Sequence, residues 1–129
     1  MNIALIDYKH PVKGFANRDM TGGFGSGMYA RGLIGSVIKK IKKNNIRIPI
    51  MTFAYLNAIG KNIGKNVNIY NGMPLGEDVI IIASSIHHYK EEISLAKKIK
   101  NKFPKSKVGF IGPFSSEKPD LFIDNCDFI

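Results

Sequence analysis

The residues of this chain that could do chemistry are small ones at the ends of apolar runs, a cluster of glycines, and three histidines. Ser84-Ser85-Ile86 directly follow Asp78-Val79-Ile80-Ile81-Ile82-Ala83, and Gly112-Pro113-Phe114 follow Lys107-Val108-Gly109-Phe110-Ile111. Serine and glycine at such points offer hydroxyls and a thin backbone, so a flat ligand group could enter deeply between them. Asp7 and His10 lie just beyond the first apolar run, Asn2–Ile6. The glycine cluster, Thr21–Gly27, includes Gly22 and Gly23, candidate backbone contacts to a ligand; Gly25–Ala30 fits the loose pattern G-x-G-x-x-A. A dinucleotide fingerprint should follow the first strand directly, with an acid at the end of the second, where Asn71 stands instead. No Gly-Lys-Ser/Thr follows the cluster, so a P-loop is excluded. The cluster is expected to act as a lid, or as a backbone surface for phosphate or amide groups.

His87 and His88 precede a helix and have no His/Asp/Glu companions at metal-ligand spacing, so they read as polar helix-start residues and no metal site is expected. No Ser/His/Asp or Cys/His nucleophile can be assembled. The acids do not supply the paired aspartates and late lysine of a phosphorylated receiver domain. The lone Cys126 excludes an internal disulfide, a four-cysteine zinc site and a three-cysteine iron–sulfur motif, and reads as a small buried hydrophobe.

These residues need a scaffold, and strands alternate with helices along the chain. Strands are expected at Asn2–Ile6, Asn66–Tyr70, Asp78–Ala83, Lys107–Ile111 and Asp127–Ile129. The β-branched run ending at Ala83 marks a central parallel strand covered on both faces. Helices are expected over Met28–Lys43 (Leu33, Val37, Ile41), Thr52–Ile63 (Leu56, Ile59, Ile63 on one face), Glu91–Phe103 (Leu95, Ile99, Phe103) and, briefly, Pro119 to Asp124. This alternation implies an α/β fold: a Rossmann-like, five-stranded parallel sheet in the flavodoxin-like order 2-1-3-4-5, with helices on both faces. Residues 1–129 form one domain, with 8–48 as a long inserted loop and helix after the first strand.

At 44% apolar residues the chain can bury a core. Its net charge is +9, but the lysines are scattered over helix flanks and accompany an Ile- and Asn-rich composition of the kind AT-rich genomes produce. A nucleic-acid partner is therefore not expected. No apolar run reaches the ~18 residues of a membrane span. Met1–Asp7 is too short for a signal peptide, and the expected location is the cytoplasm.

Pro49-Ile50-Met51-Thr52-Phe53-Ala54-Tyr55-Leu56-Asn57-Ala58-Ile59, followed by Asn66-Val67-Asn68-Ile69-Tyr70, resembles the P-x-M-x-L-A-Y-L-A-A … G-H-x-V-x-I-Y-D stretch of the cobalamin-binding domain at the N-terminus of B12-dependent radical SAM enzymes. Further landmarks follow in order. Asp78–Ser85 resembles the D-V-V-G-I-S strand, Val108–Pro113 the V-V-V-G-G-P strand, and Pro119-Asp120 with Cys126–Ile129 the P-E … D-x-V-V ending.

The resemblance implies a domain that binds cobalamin with its nucleotide tail extended between the third- and fourth-strand loops. Ser84, Ser85 and Gly112 would line that channel, flanked by Ile86, Pro113 and Phe114, and the corrin would lie over the first-strand loop and Met51. The family's Asp-x-His-x-x-Gly signature is not matched: Asp7, His10 and Gly14 carry one extra residue in each gap, which argues against His10 as a cobalt ligand. The resemblance further implies a C-terminal radical SAM domain beyond residue 129, with S-adenosylmethionine and a 4Fe-4S cluster. The Cys-x-x-x-Cys-x-x-Cys motif is absent here, so these residues would bind the cofactor and not cleave S-adenosylmethionine. The alternatives are a Rossmann-like protein-interaction domain that has lost its cofactor, and a small nucleotide-binding protein using the Gly22–Gly27 loop.

Overall fold

The computed structural model describes residues 1–8, 32–37 and 51–129. The chain divides into two compact units, residues 1–13 with 50–129, and residues 14–49. Within the second unit, residues 33–37 are helical, with Gly35 buried and Leu33, Ile34 and Val37 exposed. The rest of the helix expected over Met28–Lys43 lies outside the described residues, as do His10 and the loop with Gly22 and Gly23.

The first unit is built on a parallel sheet of four strands: β1 (Asn2–Ile6), β2 (Asn66–Tyr70), β3 (Val79–Ala83) and β4 (Lys107–Ile111). The order is β2-β1-β3-β4, with Ile6 opposite both Tyr70 and Ile82, and Ala83 opposite Ile111. β3 is the run Val-Ile-Ile-Ile-Ala, and its alternate side chains feed two cores. On one face Ala4, Ile6, Ile80, Ile82, Val108 and Phe110 pack with Leu95, Ala96 and Ile99 of α2 (Tyr89–Lys102) and with Phe122. On the other, Leu5 and Ala83 pack with Phe53 of α1 (Met51–Asn62), joined by Ile3, Leu56, Val67, Ile81 and Ile111. α2 carries Glu91 and Glu92 in its first turn and Lys100 and Lys102 in its last, matching the helix dipole.

The sequence reading differs from the structure at three places. The expected fifth strand is a single parallel bridge, Gly109 to Phe128. Asp127 N–H donates to the Val108 carbonyl (2.6 Å), but the Asp127 carboxylate takes the Val108 N–H (2.9 Å). A side chain thus occupies the donor that a continuing ladder would give to backbone carbonyl. The short helix expected from Pro119 is two 3-10 turns, Pro119–Leu121 and Ile123–Asn125. In α1, Ile59 and Ile63 do not share the inward face with Leu56; Phe53, Leu56 and Gly60 turn inward, and Ile59 and Ile63 are exposed. Gly60 explains that rotation, because its bare Cα lets the helix lie against Val67 of β2.

A buried carboxylate fastens the loop between β2 and β3. Glu77 accepts hydrogen bonds from the Leu75 and Gly76 N–H groups (3.0 and 3.1 Å) and from the Tyr70 hydroxyl. Burial pushes the Glu77 carboxyl up, but these donors outweigh it and hold it below its ordinary value; in turn the Glu77 bond raises the Tyr70 hydroxyl. The Val108 N–H, helped by Lys100, likewise lowers Asp127.

Two predictions follow from this packing. In Gly60→Ala, helix propensity gains about 1 kcal/mol, but overlap with the stiff Val67 side chain costs about 1–3 kcal/mol. Urea unfolding should show a net loss, and a double-mutant cycle with Val67→Ala should show a rescuing coupling of about 1 kcal/mol; additive effects would contradict the close contact. The depressed Glu77 and Asp127 values make a stabilising contribution that is complete above their unfolded values near ~4 and is lost as pH falls through the folded ones. The urea midpoint should fall with acid in that window, and less steeply in Glu77→Gln and Asp127→Asn.

Candidate functional site

The strand order reverses between β1 and β3, so the carboxyl ends of these strands border the crevice where open parallel sheets take ligands. Asp7 and Tyr8 leave β1 there, half-buried, with Asp7 N–H donating to the Tyr70 carbonyl (2.9 Å). Met51 stands exposed at the start of α1.

The structure brings Ser84 and Gly112 into direct contact. Ser84 N–H donates to the Ile111 carbonyl (2.7 Å), continuing the β3–β4 ladder past the strands. The Ser84 Oγ accepts from the Ser115 N–H (3.1 Å), and the Ser115 hydroxyl donates to the Gly112 carbonyl (3.1 Å). Gly112 has φ +128°, and a Cβ there would stand 3.1 Å from Ser84 Oγ and 3.2 Å from its carbonyl oxygen. Only glycine suits both the backbone conformation and the narrow space. Pro113 then opens the short helix α3 (Pro113–Glu117), where its fixed φ and missing N–H do no harm.

Ser85 belongs to a second lock. Its N–H and hydroxyl both donate to Glu92, at 2.9 Å to Oε2 and 2.7 Å to Oε1, and its Oγ accepts the His88 N–H (3.2 Å). Glu92 is fully buried in the first turn of α2. A carboxylate there ties the β3 exit to the helix that covers it. The bland reading of His88 as a helix-start residue agrees with its place as the residue preceding α2. Ile86 points outward and is exposed, whereas Phe114 is half-buried in an aromatic group with Tyr89 (centroids 5.4 Å) and Phe122 (5.9 Å). That group fills the α2 side of the strand ends.

Glu92 and Ser115 were not among the residues singled out from sequence. Glu92 was nonetheless visible, because it falls on the Leu95, Ala96, Ile99 stripe at helical spacing, where a carboxylate must be buried. Ser115 had no such signal.

Two cavities lie elsewhere. One, of about 170 Å³, sits at the amino end of the sheet, lined by Asn2, Asn66, Asn68, Leu75, Gly76 and Glu77. The other, of about 250 Å³ and mainly apolar, lies beside the bridge at Phe128. Among the described residues there is no group of three or more His, Cys, Asp or Glu placed to hold a metal ion, and no helix long and apolar enough to cross a membrane. Cys126 is partly buried, and burial raises its thiol above the ordinary value.

Glu92→Ala should orphan two buried donors of Ser85 and cost about 2–4 kcal/mol in chemical unfolding. Glu92→Gln, which keeps acceptor and volume, should lose less; equal losses would mean the hydrogen bonds to Ser85 are not what matters. Compared with family models, with curated proteins and with solved structures, the chain finds no significant match.

Proposed function

We propose that this chain is a cobalamin-binding module with a Rossmann-like fold, serving a radical SAM domain of the same cytoplasmic polypeptide. The observation that carries this reading is the all-parallel β2-β1-β3-β4 order, with its reversal beside β1 and β3 and its neighbouring exits made of Ser84, Ser85 and Gly112. At Gly112 the backbone is thin, as the reading requires, but it lies directly against Ser84, so a nucleotide tail would enter beside this contact and not through it. The Ser84 hydroxyl accepts from Ser115 with a lone pair, which leaves its own proton to orient toward a ligand. Ser85 is less suited, since its hydroxyl both donates and accepts within the chain.

In this role Ser84 and Gly112 would border the cofactor's nucleotide tail, and Asp7 and Met51 would lie toward the corrin. When bound, cobalamin supplies a carrier for a methyl group, and the polypeptide supplies orientation and shielding. The 4Fe-4S cluster and S-adenosylmethionine belong to the proposed partner domain.

A specific observation favours a second reading, a protein-interaction domain without a cofactor: the hydroxyls and the glycine at the strand ends are already engaged with the chain's own groups.

Incubation with hydroxocobalamin followed by desalting separates the two. A bound corrinoid with shifted absorption bands is expected, while dicyanocobinamide, which lacks the nucleotide tail, should bind at least about tenfold more weakly, ~1.4 kcal/mol. Loss of both on desalting would leave the interaction domain as the reading. Equal retention of both would refute the tail placement.

A further inference from the structure

Asn2, Asn66 and Asn68 meet on one face of the sheet. Side chains alternate along a strand, and Ala4, Ile6 and Tyr70, which share their alternation, pack into the α2-side core. The register sets Asn2 of β1 opposite Asn66 of the edge strand β2, and Ala4 opposite Asn68. These carboxamides and the loop between β2 and β3 enclose the cavity of about 170 Å³ at the amino end of the sheet, with Leu75, Gly76 and Glu77 as its other wall. All six residues belong to the first unit.

Glu77 gives this cavity its charge. The residue is 6% exposed, yet the partners of its carboxylate are neutral: the Leu75 and Gly76 N–H groups and the Tyr70 hydroxyl. These donors keep it ionised by holding it below its ordinary value. Among the described residues no cation pairs with it, and the amino-terminal ammonium faces Asp78 instead (3.8 Å). A buried carboxylate without a counter-charge draws cations. Asn2 and Asn66 are exposed, so their carboxamides are open to whatever enters.

We infer that this cavity is a binding site for a small planar cation of the guanidinium class. Glu77 supplies the counter-charge, and the carboxamide oxygens of Asn2, Asn66 and Asn68 accept the N–H donors. A guanidinium is planar, offers donors in several directions and no acceptor, and is more weakly hydrated than an ammonium. A divalent metal fits less well. It needs several oxygens turned directly onto it, and the Glu77 oxygens already hold three donors. The volume matches about five or six waters, which is room for methylguanidinium or the end of an arginine side chain. The cavity lies at the opposite end of the strands from Ser84 and Gly112, so the inference does not rest on the cobalamin reading.

Titration of the isotope-labelled chain with methylguanidinium chloride at constant ionic strength, followed by nuclear magnetic resonance, tests this. Saturable shifts are expected in the Asn66 and Asn68 side-chain amides and in the Leu75 and Gly76 N–H signals, with a dissociation constant on the order of 1 mM. Methylurea, the neutral isostere, should bind the parent at least about tenfold more weakly, and so should methylguanidinium bind Glu77→Gln. Because Glu77→Gln also alters the fastening of the loop, Asn66→Ala at an exposed position is the second variant; it should weaken binding by about threefold or more while the urea midpoint stays near the parent's. The peptide Gly-Arg-Gly separates two sources of the cation: binding tighter than methylguanidinium identifies an arginine side chain, and equal or weaker binding a free small molecule. Shifts that never saturate, shifts spread over the whole surface, or methylurea binding as well as methylguanidinium would overturn the proposal.

Discussion

β1 and β3 must be buried on both faces at once. They are the two inner strands, and every side chain from Ala4 to Ile6 and from Ile80 to Ala83 points into one core or the other. A polar residue in either run would need a buried partner, and the runs contain none. α1 and α2 are held in place by this demand more than by their own propensity. α1 in particular includes Gly60 and has little charge with which to favour one face on its own.

The same demand dictates where polar chemistry can begin. The first hydroxyls appear one residue beyond Ala83, at Ser84 and Ser85, and both remain buried. Each therefore needs hydrogen-bond partners. Ser84 finds them in the start of α3 and Ser85 in Glu92 of α2, so the strand ends are stitched to the two helices that flank them. What presents itself as a row of small residues for a ligand is also a set of structural fastenings. The two roles are compatible at Ser84, which has donor capacity beyond its bond to Ser115, and in conflict at Ser85.

The inner strands and α2 were legible because burial on both faces and helical periodicity leave strong patterns, as in Val79–Ala83 and in Leu95, Ala96 and Ile99. The rotation of α1 was not. Its apolar residues surround the helix, and periodicity could not say that Gly60 against Val67 would choose the inward side. The end of the chain is not legible as a bridge because Phe128-Ile129 has strand chemistry, while the deciding contact is the Asp127 carboxylate on the Val108 N–H, nineteen residues away in sequence. At the strand ends the residues were found but not their partners. Glu92 could have been inferred from its stripe, but Ser115 depends on the backbone path through Gly112.

The depth available to any ligand follows from how the two cores end. On the α2 side Tyr89, Phe114 and Phe122 form an aromatic cluster, with Phe122 edge-on to both Tyr89 and Phe114. On the α1 side Ala83 is the last side chain of β3, and Phe53 packs in the same cluster as that small residue. A group that entered beside α1 and left the aromatic cluster intact would meet Ala83, the small last residue of β3. Among the described residues at this edge, Ser84 accepts from the Ser115 N–H through its oxygen, and Gly112 brings its bare backbone against Ser84. Of the described hydroxyls at this edge, Ser85 is held at both its donor and acceptor positions by Glu92 and His88, so Ser84 is the better placed of the two serines to orient an entering polar group.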